Sequence, residues 1–326
     1  MGKNISNFYE DLLFTKGFNK IDSKMGKFNP MGQTWKLSNE LGYGYYWVYS
    51  KEDLFDIKIH DFFFHDDFLI ECILPECLSI TYYKSVSGDE LCPYRRINAN
   101  CVKTYLGGKI PFRALIHKKI PIKSIGIEIT PEYYENYLKK KYPDEYLNPK
   151  EAFLTLNEST DFPEMILLLK QIKLYKGTGI SAKIFYEAKI AEAISLVLDK
   201  QRTSAASLLP LSNSDYTQIK NVSSFINDHA SFKLSLNQLS KIACMGKTKL
   251  KQSFKQVNNC TITEYIQSCR INHAEYLLSN TNLSISQIAE TVGYTSASRF
   301  SEIFKRNIGI LPKDYRKLLK SNKPSL

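Results

Sequence analysis

Six residues towards the carboxy end have side chains suited to reading base edges in a nucleic-acid groove: Thr248, Lys251 and Gln252, then Ser298, Arg299 and Glu302. An arginine fork matches the two acceptors of guanine. Glutamine pairs with adenine, threonine meets the thymine methyl, and lysine reaches guanine or phosphate. Glu302 would accept from cytosine or simply orient Arg299. Beside them Lys247, Lys249, Lys255, Ser296, Lys305 and Arg306 offer donors to phosphate. Pure charge neutralisation would favour lysine at every outward position, so Gln252, Ser298 and Glu302 argue for sequence reading.

Two matching pairs of helices must present these groups. In the first pair Leu236, Leu239, Ile242 and Ala243 mark a supporting helix, and Met245-Gly246 a turn. Residues 247–257 form the second helix, with Leu250, Phe254 and Val257 inward. The layout recurs with Ile285, Ile288, Ala289 and Val292, a turn at Gly293, and a helix burying Phe300, Ile303 and Phe304. A helix, a tight turn and a second, outward-facing helix suit the DNA major groove. Between the pairs, residues 262–278 predict one connecting helix with a buried stripe of Tyr265, Ile266, Ala274, Leu277 and Leu278. A connector of that length would hold both recognition helices on one face, for successive major grooves one DNA turn (about 34 Å) apart. Phe254, Phe300, Phe304 and Tyr315 are expected in the core rather than as stacking platforms, and Gly293 and Gly309 as turn positions.

Charge follows the same division. Residues 217–326 hold 16 Lys and Arg against 6 Asp and Glu, so nearly all of the net charge of +11 sits in the last third. That is the electrostatic footprint of a polyanion-binding unit. The seven cysteines are odd in number and show no CxxC spacing. With no apolar leader and no run long enough to span a membrane, the expectation is a cytoplasmic protein with free thiols.

The front part reads differently. From Trp35 to about Thr130 short β-like runs alternate with Gly, Pro and Asn, as at 68–73, 78–83 and the period-two run 120–129. Residues 1–34 are mixed and polar, and helices follow at 131–143, 162–174 and 180–198. The last carries Ile184, Ala188, Ala191, Leu196 and Val197 and fits a packing or dimerisation helix. The expected fold is α+β: a β-rich, barrel- or sandwich-like sensing and dimerisation domain over 1–200, a linker at 201–216, an all-α domain with two helix-turn-helix units over 217–320, and a tail at 321–326. His60, Asp61, His65, Asp66 and Asp67 have metal-ligand chemistry but not metal-site spacing and read as a strand-to-strand turn, so no metal or other cofactor is expected. Tyr43, Tyr45, Tyr46, Trp47 and Tyr49 fit either an apolar ligand cavity or ordinary packing, and Arg95-Arg96 beside Tyr94 either an anion contact or a surface turn. No phosphate loop, GxSxG or Cys-His nucleophile pair is present, so no enzyme is expected.

Residues of about 220–319 resemble the AraC/XylS family of bacterial transcription regulators. The resemblance is carried by Leu250, Phe254-Lys255, Tyr265…Arg270…Ala274…Leu277-Leu278, Ile288-Ala289…Val292-Gly293-Tyr294, Ser298…Phe300…Phe304-Lys305 and Gly309…Pro312…Tyr315-Arg316. Cys244 and Asn259 stand where the family usually has glycine. The resemblance implies base contacts from the outward residues of both recognition helices, and a front domain that binds an effector or dimerises. It also implies promoter DNA as partner, with a small-molecule effector, RNA polymerase and a second copy of the chain as further partners. The start Gly246-Lys247-Thr248-Lys249-Leu250-Lys251 looks like the subgroup containing the pyochelin siderophore regulator, which would imply a siderophore-like effector. Two other readings are a DNA-repair enzyme with a DNA-binding tail and a non-specific architectural DNA binder.

Overall fold

The computed structural model describes residues 5–22, 27–51, 53–91, 94–108, 111–156, 158–159, 162–205, 211–258 and 260–320. The chain forms two compact units, 1–202 and 203–326. Among the described residues, no helix is long and apolar enough to cross a membrane.

The front unit is α+β. Helix α1 (Ile5–Thr15) leads into β1 (Phe18–Ile21), β2 (Gln33–Leu37), β3 (Gly42–Lys51), β4 (Phe55–Phe64), β5 (Phe68–Cys72) and β6 (Leu78–Ser85). Then come β7 (Gly88–Leu91), β8 (Tyr94–Ile97), β9 (Cys101–Leu106), β10 (Phe112–Ile116), β11 (Ile122–Ile129) and the short β12 (Glu158–Ser159). The strands make an eight-stranded sheet in the order β1-β2-β3-β4-β11-β6-β9-β12 and a four-stranded sheet in the order β5-β10-β7-β8. A π-helical turn (Glu132–Tyr137) continues as α2 (Leu138–Lys141), followed by α3 (Lys150–Leu156), α4 (Pro163–Leu174) and α5 (Gly179–Ala205).

Both faces of the large sheet are covered. On one face Phe55, Ile57 and Ile59 of β4, Leu78 and Ile80 of β6, and Ile125, Ile127 and Ile129 of β11 join a single core with α3, α4 and α5. Burying such side chains stabilises by roughly 1.5–3 kcal/mol each. The alternate residues point the other way, as a period of two requires. They are Lys58, His60 and Phe62 of β4, Ser79 and Thr81 of β6, and Glu128 of β11, and they line a cavity of ≈ 180 Å³. The small sheet contributes Phe68, Ile70, Glu90, Ile97 and Ile116 to its wall, and α1 contributes Tyr9, Leu12 and Leu13.

Several expectations need correction here. The first 34 residues contain a helix and two strands as well as polar connections, because Tyr9 and Leu13 of α1 are buried against the rest of the unit. Of the aromatic run, Tyr46 lines the cavity, Trp47 and Tyr49 belong to the helix-side core, and Tyr43 is exposed. The buried stripe of α5 is Ala182, Tyr186, Ile190, Ala193 and Val197, whereas Ile184, Ala188 and Ala191 face outward. Of the stretch 201–216, Gln201 to Ala205 continue α5 and Asn213 to Tyr216 open the next helix. Residues 206–210 and the tail 321–326 lie outside the described residues.

The described residues of the second unit are all helical or in connections: α6 (Asn213–His229), α7 (Leu236–Ile242), α8 (Lys247–Asn258), α9 (Ile262–Asn280), α10 (Ile285–Thr291), α11 (Ala297–Ile308) and α12 (Pro312–Lys320).

Candidate nucleic-acid interface

Short polar signals mark where α6, α7, α9, α10 and α11 begin. Ser235 caps α7, accepting from the Gln238 amide at 3.2 Å. Reciprocal capping bonds start three others: Ser212 with Asp215 for α6, Thr261 with Glu264 for α9, and Ser284 with Gln287 for α10. Ser296 caps α11, and Gly309 ends it in the left-handed conformation at φ 90°. Each cap satisfies backbone groups that a helix end leaves without partners, worth about 1 kcal/mol apiece. Boundaries made this way depend on neighbours in sequence.

Around those frames the apolar stripes fold inward. Leu250 and Phe254 of α8 pack with Ile219, Val222 and Ile226 of α6 and Leu239 of α7. Phe300, Ile303, Phe304 and Ile308 of α11 are buried, and Phe304 meets Tyr315 of α12 edge-on with ring centroids 5.4 Å apart. Burying the i, i+3, i+4 positions turns the opposite side of each helix to solvent. Thr248, Lys251 and Gln252 on α8 and Ser298, Arg299 and Glu302 on α11 are all exposed. So are Lys247, Lys249, Lys255, Ser296, Lys305 and Arg306.

The structure also gives some of these groups local duties. Arg299 Nη1 lies 3.5 Å from Glu302 Oε2, one helical turn on, so the carboxylate steers the guanidinium. Both side chains remain mostly exposed, and such a pair adds little to stability. Ser296 Oγ accepts from the Arg299 amide at 3.3 Å. Arg306 donates to Gln267 of α9 at 3.1 Å. Lys249 is engaged by Asp215, 2.8 Å away, and this pairing holds the Asp215 carboxyl below its usual range.

The two turns solve the same problem with different residues. Gly293 takes φ 91°, and a Cβ there would lie 2.3 Å from the Ser231 carbonyl oxygen, so the position requires glycine twice over. In the first turn the left-handed residue is Cys244, at φ 49°. Gly246, which marks that turn in sequence, has open space around it and no positive φ.

Arg270 of α9 joins the two halves. Its guanidinium donates to the carbonyls of Ala230 (2.7 Å), Phe232 (3.0 Å) and Gly293 (2.8 Å). It also stacks over Tyr294, 5.1 Å from the ring centroid. One rigid fork thus ties the exit of α6 to the second turn. Sequence reasoning placed Arg270 in a motif and missed this role. The available signal was a basic residue at helical spacing from Ile266 and Ala274 of the connector's stripe.

Residues 239–318 match a helix-turn-helix domain family. The segment is an AraC-type helix-turn-helix domain. Among curated proteins, the chain is similar to the Msm operon regulatory protein of Streptococcus mutans, at 31% identity over 104 residues, 32% of this chain and 37% of that protein. It is 36% identical over 94 residues to the melibiose operon regulatory protein of Escherichia coli, 29% and 31% of the two chains. A third relative is the HTH-type transcriptional activator RhaR of Mannheimia succiniciproducens, at 26% identity over 170 residues, 52% and 59% of the two chains. The chain thus spans between about a third and three-fifths of the length of these relatives. In the AraC-type domain Asn259 lies outside the described residues, and the other departure from the family pattern is the left-handed Cys244.

Outside the AraC-type domain the sequence-derived groups scatter. His60 and Asp61 lie within β4 rather than in a turn, on opposite faces of the strand. His60 lines the cavity, while Asp61 pairs with Lys27 at the surface. The His65 ring contacts the Asn39 carbonyl at 3.2 Å, and Asp67 accepts from the Lys118 amide at 2.9 Å. Among the described residues no group of three or more His, Cys, Asp or Glu could hold a metal ion. Arg96 is not on a surface turn. It donates to Ser87 Oγ at 3.0 Å and pairs with Asp89 at 3.6 Å, largely buried. The side chains of Tyr94 and Arg95 lie outside the described residues. Among the described residues Cys72, Cys77, Cys101, Cys244, Cys260 and Cys269 form no disulfide, and Cys92 lies outside the described residues.

Proposed function

We propose that this protein is a sequence-specific DNA-binding transcription regulator whose AraC-type domain reads two successive major grooves. The observation that carries this is the pair of solvent-facing helices, α8 and α11. Each buries its apolar stripe and turns outward a mixed set of donors and acceptors rather than lysine alone. In this reading Thr248, Lys251 and Gln252 meet bases in one groove, and Ser298, Arg299 and Glu302 in the next. Lys247, Lys255, Ser296, Lys305 and Arg306 meet phosphate. Lys249 shares its charge with Asp215 and contributes less. The concentration of positive charge in residues 217–326 supplies long-range attraction to the duplex.

The front unit carries sensing and self-association in the same proposal. An effector bound there alters promoter occupancy or contact with RNA polymerase, and the operon-regulator and activator names of the relatives support this reading.

Selection of genomic DNA fragments by purified full-length protein at near-physiological salt tests the proposal. The expected result is a motif with two blocks of preference one helical turn (about 34 Å) apart. Recovery of fragments with no shared motif would instead support an architectural, phosphate-only binder.

A further inference from the structure

The cavity of the front unit has an unusual lining. Most of its wall is apolar: Phe18, Phe62, Phe64, Phe68, Ile116 and Ile122 are typical. Yet two ion pairs are buried at its edge. Lys58 pairs with Glu128, both in the large sheet, and Lys103 pairs with Glu90 across the two sheets. Lys58 also donates to the Tyr9 hydroxyl of α1 at 2.9 Å. Taking two charge pairs out of water costs several kcal/mol per ion, and an apolar filling would be at least as stable. Stability alone therefore does not explain these residues.

The pairing also leaves polar capacity unused. Glu128 is 1% exposed, and its Oε2 has no hydrogen-bond partner. His60 contacts Ser124 Oγ through Nδ1 at 2.8 Å, and its buried Nε2 has none. A buried acceptor without a donor costs about 1–3 kcal/mol, which a donor on a bound molecule would recover.

Size and charge narrow the occupant. An engineered apolar cavity of about 150 Å³ holds benzene. The ≈ 180 Å³ here accommodates one substituted ring or an aliphatic body of that bulk. Lys58 and Lys103 are each matched by a carboxylate, so a ligand ion beside either pair would add uncompensated charge to a buried site; the third lysine of the lining, Lys16, lies over the Phe68 ring, 6.0 Å from its centroid.

We infer that this cavity is a binding site for a small, uncharged, mostly apolar alcohol or phenol, its hydroxyl donated to Glu128 and its body held between the two sheets beneath α1. Any regulatory consequence rests on the reading of the chain as an effector-responsive regulator, whereas the binding itself does not.

Calorimetric titration of the full-length protein with p-cresol, 4-methylcyclohexanol, toluene and p-toluate tests this. The two hydroxyl compounds should bind at least tenfold more tightly than toluene and than the p-toluate anion. Glu128→Gln should abolish that preference. Ile116→Trp, which fills the cavity from the second sheet, should abolish binding of all four. Equal binding of toluene or p-toluate by the parent protein would overturn the inference, as would binding of none. DNA selection on the same preparation keeps the two readings separate: a recovered motif without alcohol binding removes only the cavity assignment, and the reverse removes only the DNA reading.

Discussion

Arg299 and Glu302 show how much one helical turn decides. Four residues whose types were plain from the sequence, Ser296, Arg299, Glu302 and Arg306, each acquire a partner, and the Arg299 guanidinium stays exposed while Glu302 steers it. Arg299→Ala is expected to weaken binding to the selected site by about 1–3 kcal/mol and to relax preference at a single base pair. Fluorescence anisotropy against a panel of singly substituted sites would show this, and an equal loss on random DNA would remove the base-reading role. His60 makes a second prediction. Burial, then the nearby Lys58 and Lys173 charges, push its ring from 6.5 down to about 3. Below pH 6.5 the unfolded chain takes up a proton that the folded chain refuses, so this term is fully present above 6.5 and is lost as pH falls towards 3. The slope is about 1.4 kcal/mol per pH unit inside that window. Asp56 works oppositely, because burial raises its carboxyl to about 7 and favours the folded state at low pH. Thermal melts of His60→Gln beside the parent protein from pH 4 to 7 isolate the His60 contribution: the stability of the parent relative to the variant should rise with pH up to about 6.5, while the variant keeps the opposing Asp56 slope.

Turns and connectors carry the argument at the level of elements. A non-glycine residue in the left-handed region costs about 1–2 kcal/mol, and Cys244 sits there at φ 49°. Cys244→Gly should therefore raise the stability of the AraC-type domain by about 1 kcal/mol, while Gly293→Ala, driven against the Ser231 carbonyl, should lower it by about 2 kcal/mol or more. Denaturant titration followed by helix circular dichroism measures both, and a neutral Gly293→Ala would contradict the close approach. Helix limits were readable in advance because caps and stripes act over three or four residues. The Arg270 clamp was not, since Ala230, Phe232 and Gly293 come together only when α9 packs between the two halves.

Across the whole molecule, charge and shape were legible to different degrees. The basic last third predicts steep salt dependence, with the logarithmic slope falling by about 1 for each of Lys247, Lys255 or Lys305 replaced by alanine. Self-association is expected to use α5, where Ile180 and Ile184 stand 72% and 62% exposed, so Ile184→Glu should shift full-length protein towards monomer in light-scattering chromatography.

What the sequence determined by itself was the second unit: two helix-turn-helix frames, their outward residues and their charge follow from a 3.6-residue period and local caps. In the front unit it determined only that strands such as β4 and β11 have two unlike faces. Lys58 stands between Ile57 and Ile59, and Glu128 between Ile127 and Ile129, so the two faces alternate in character. The tertiary structure laid a second sheet and α1 over the polar face. Alternation records that two faces differ, and the pairing of strands far apart in the chain decides whether water or protein covers each one.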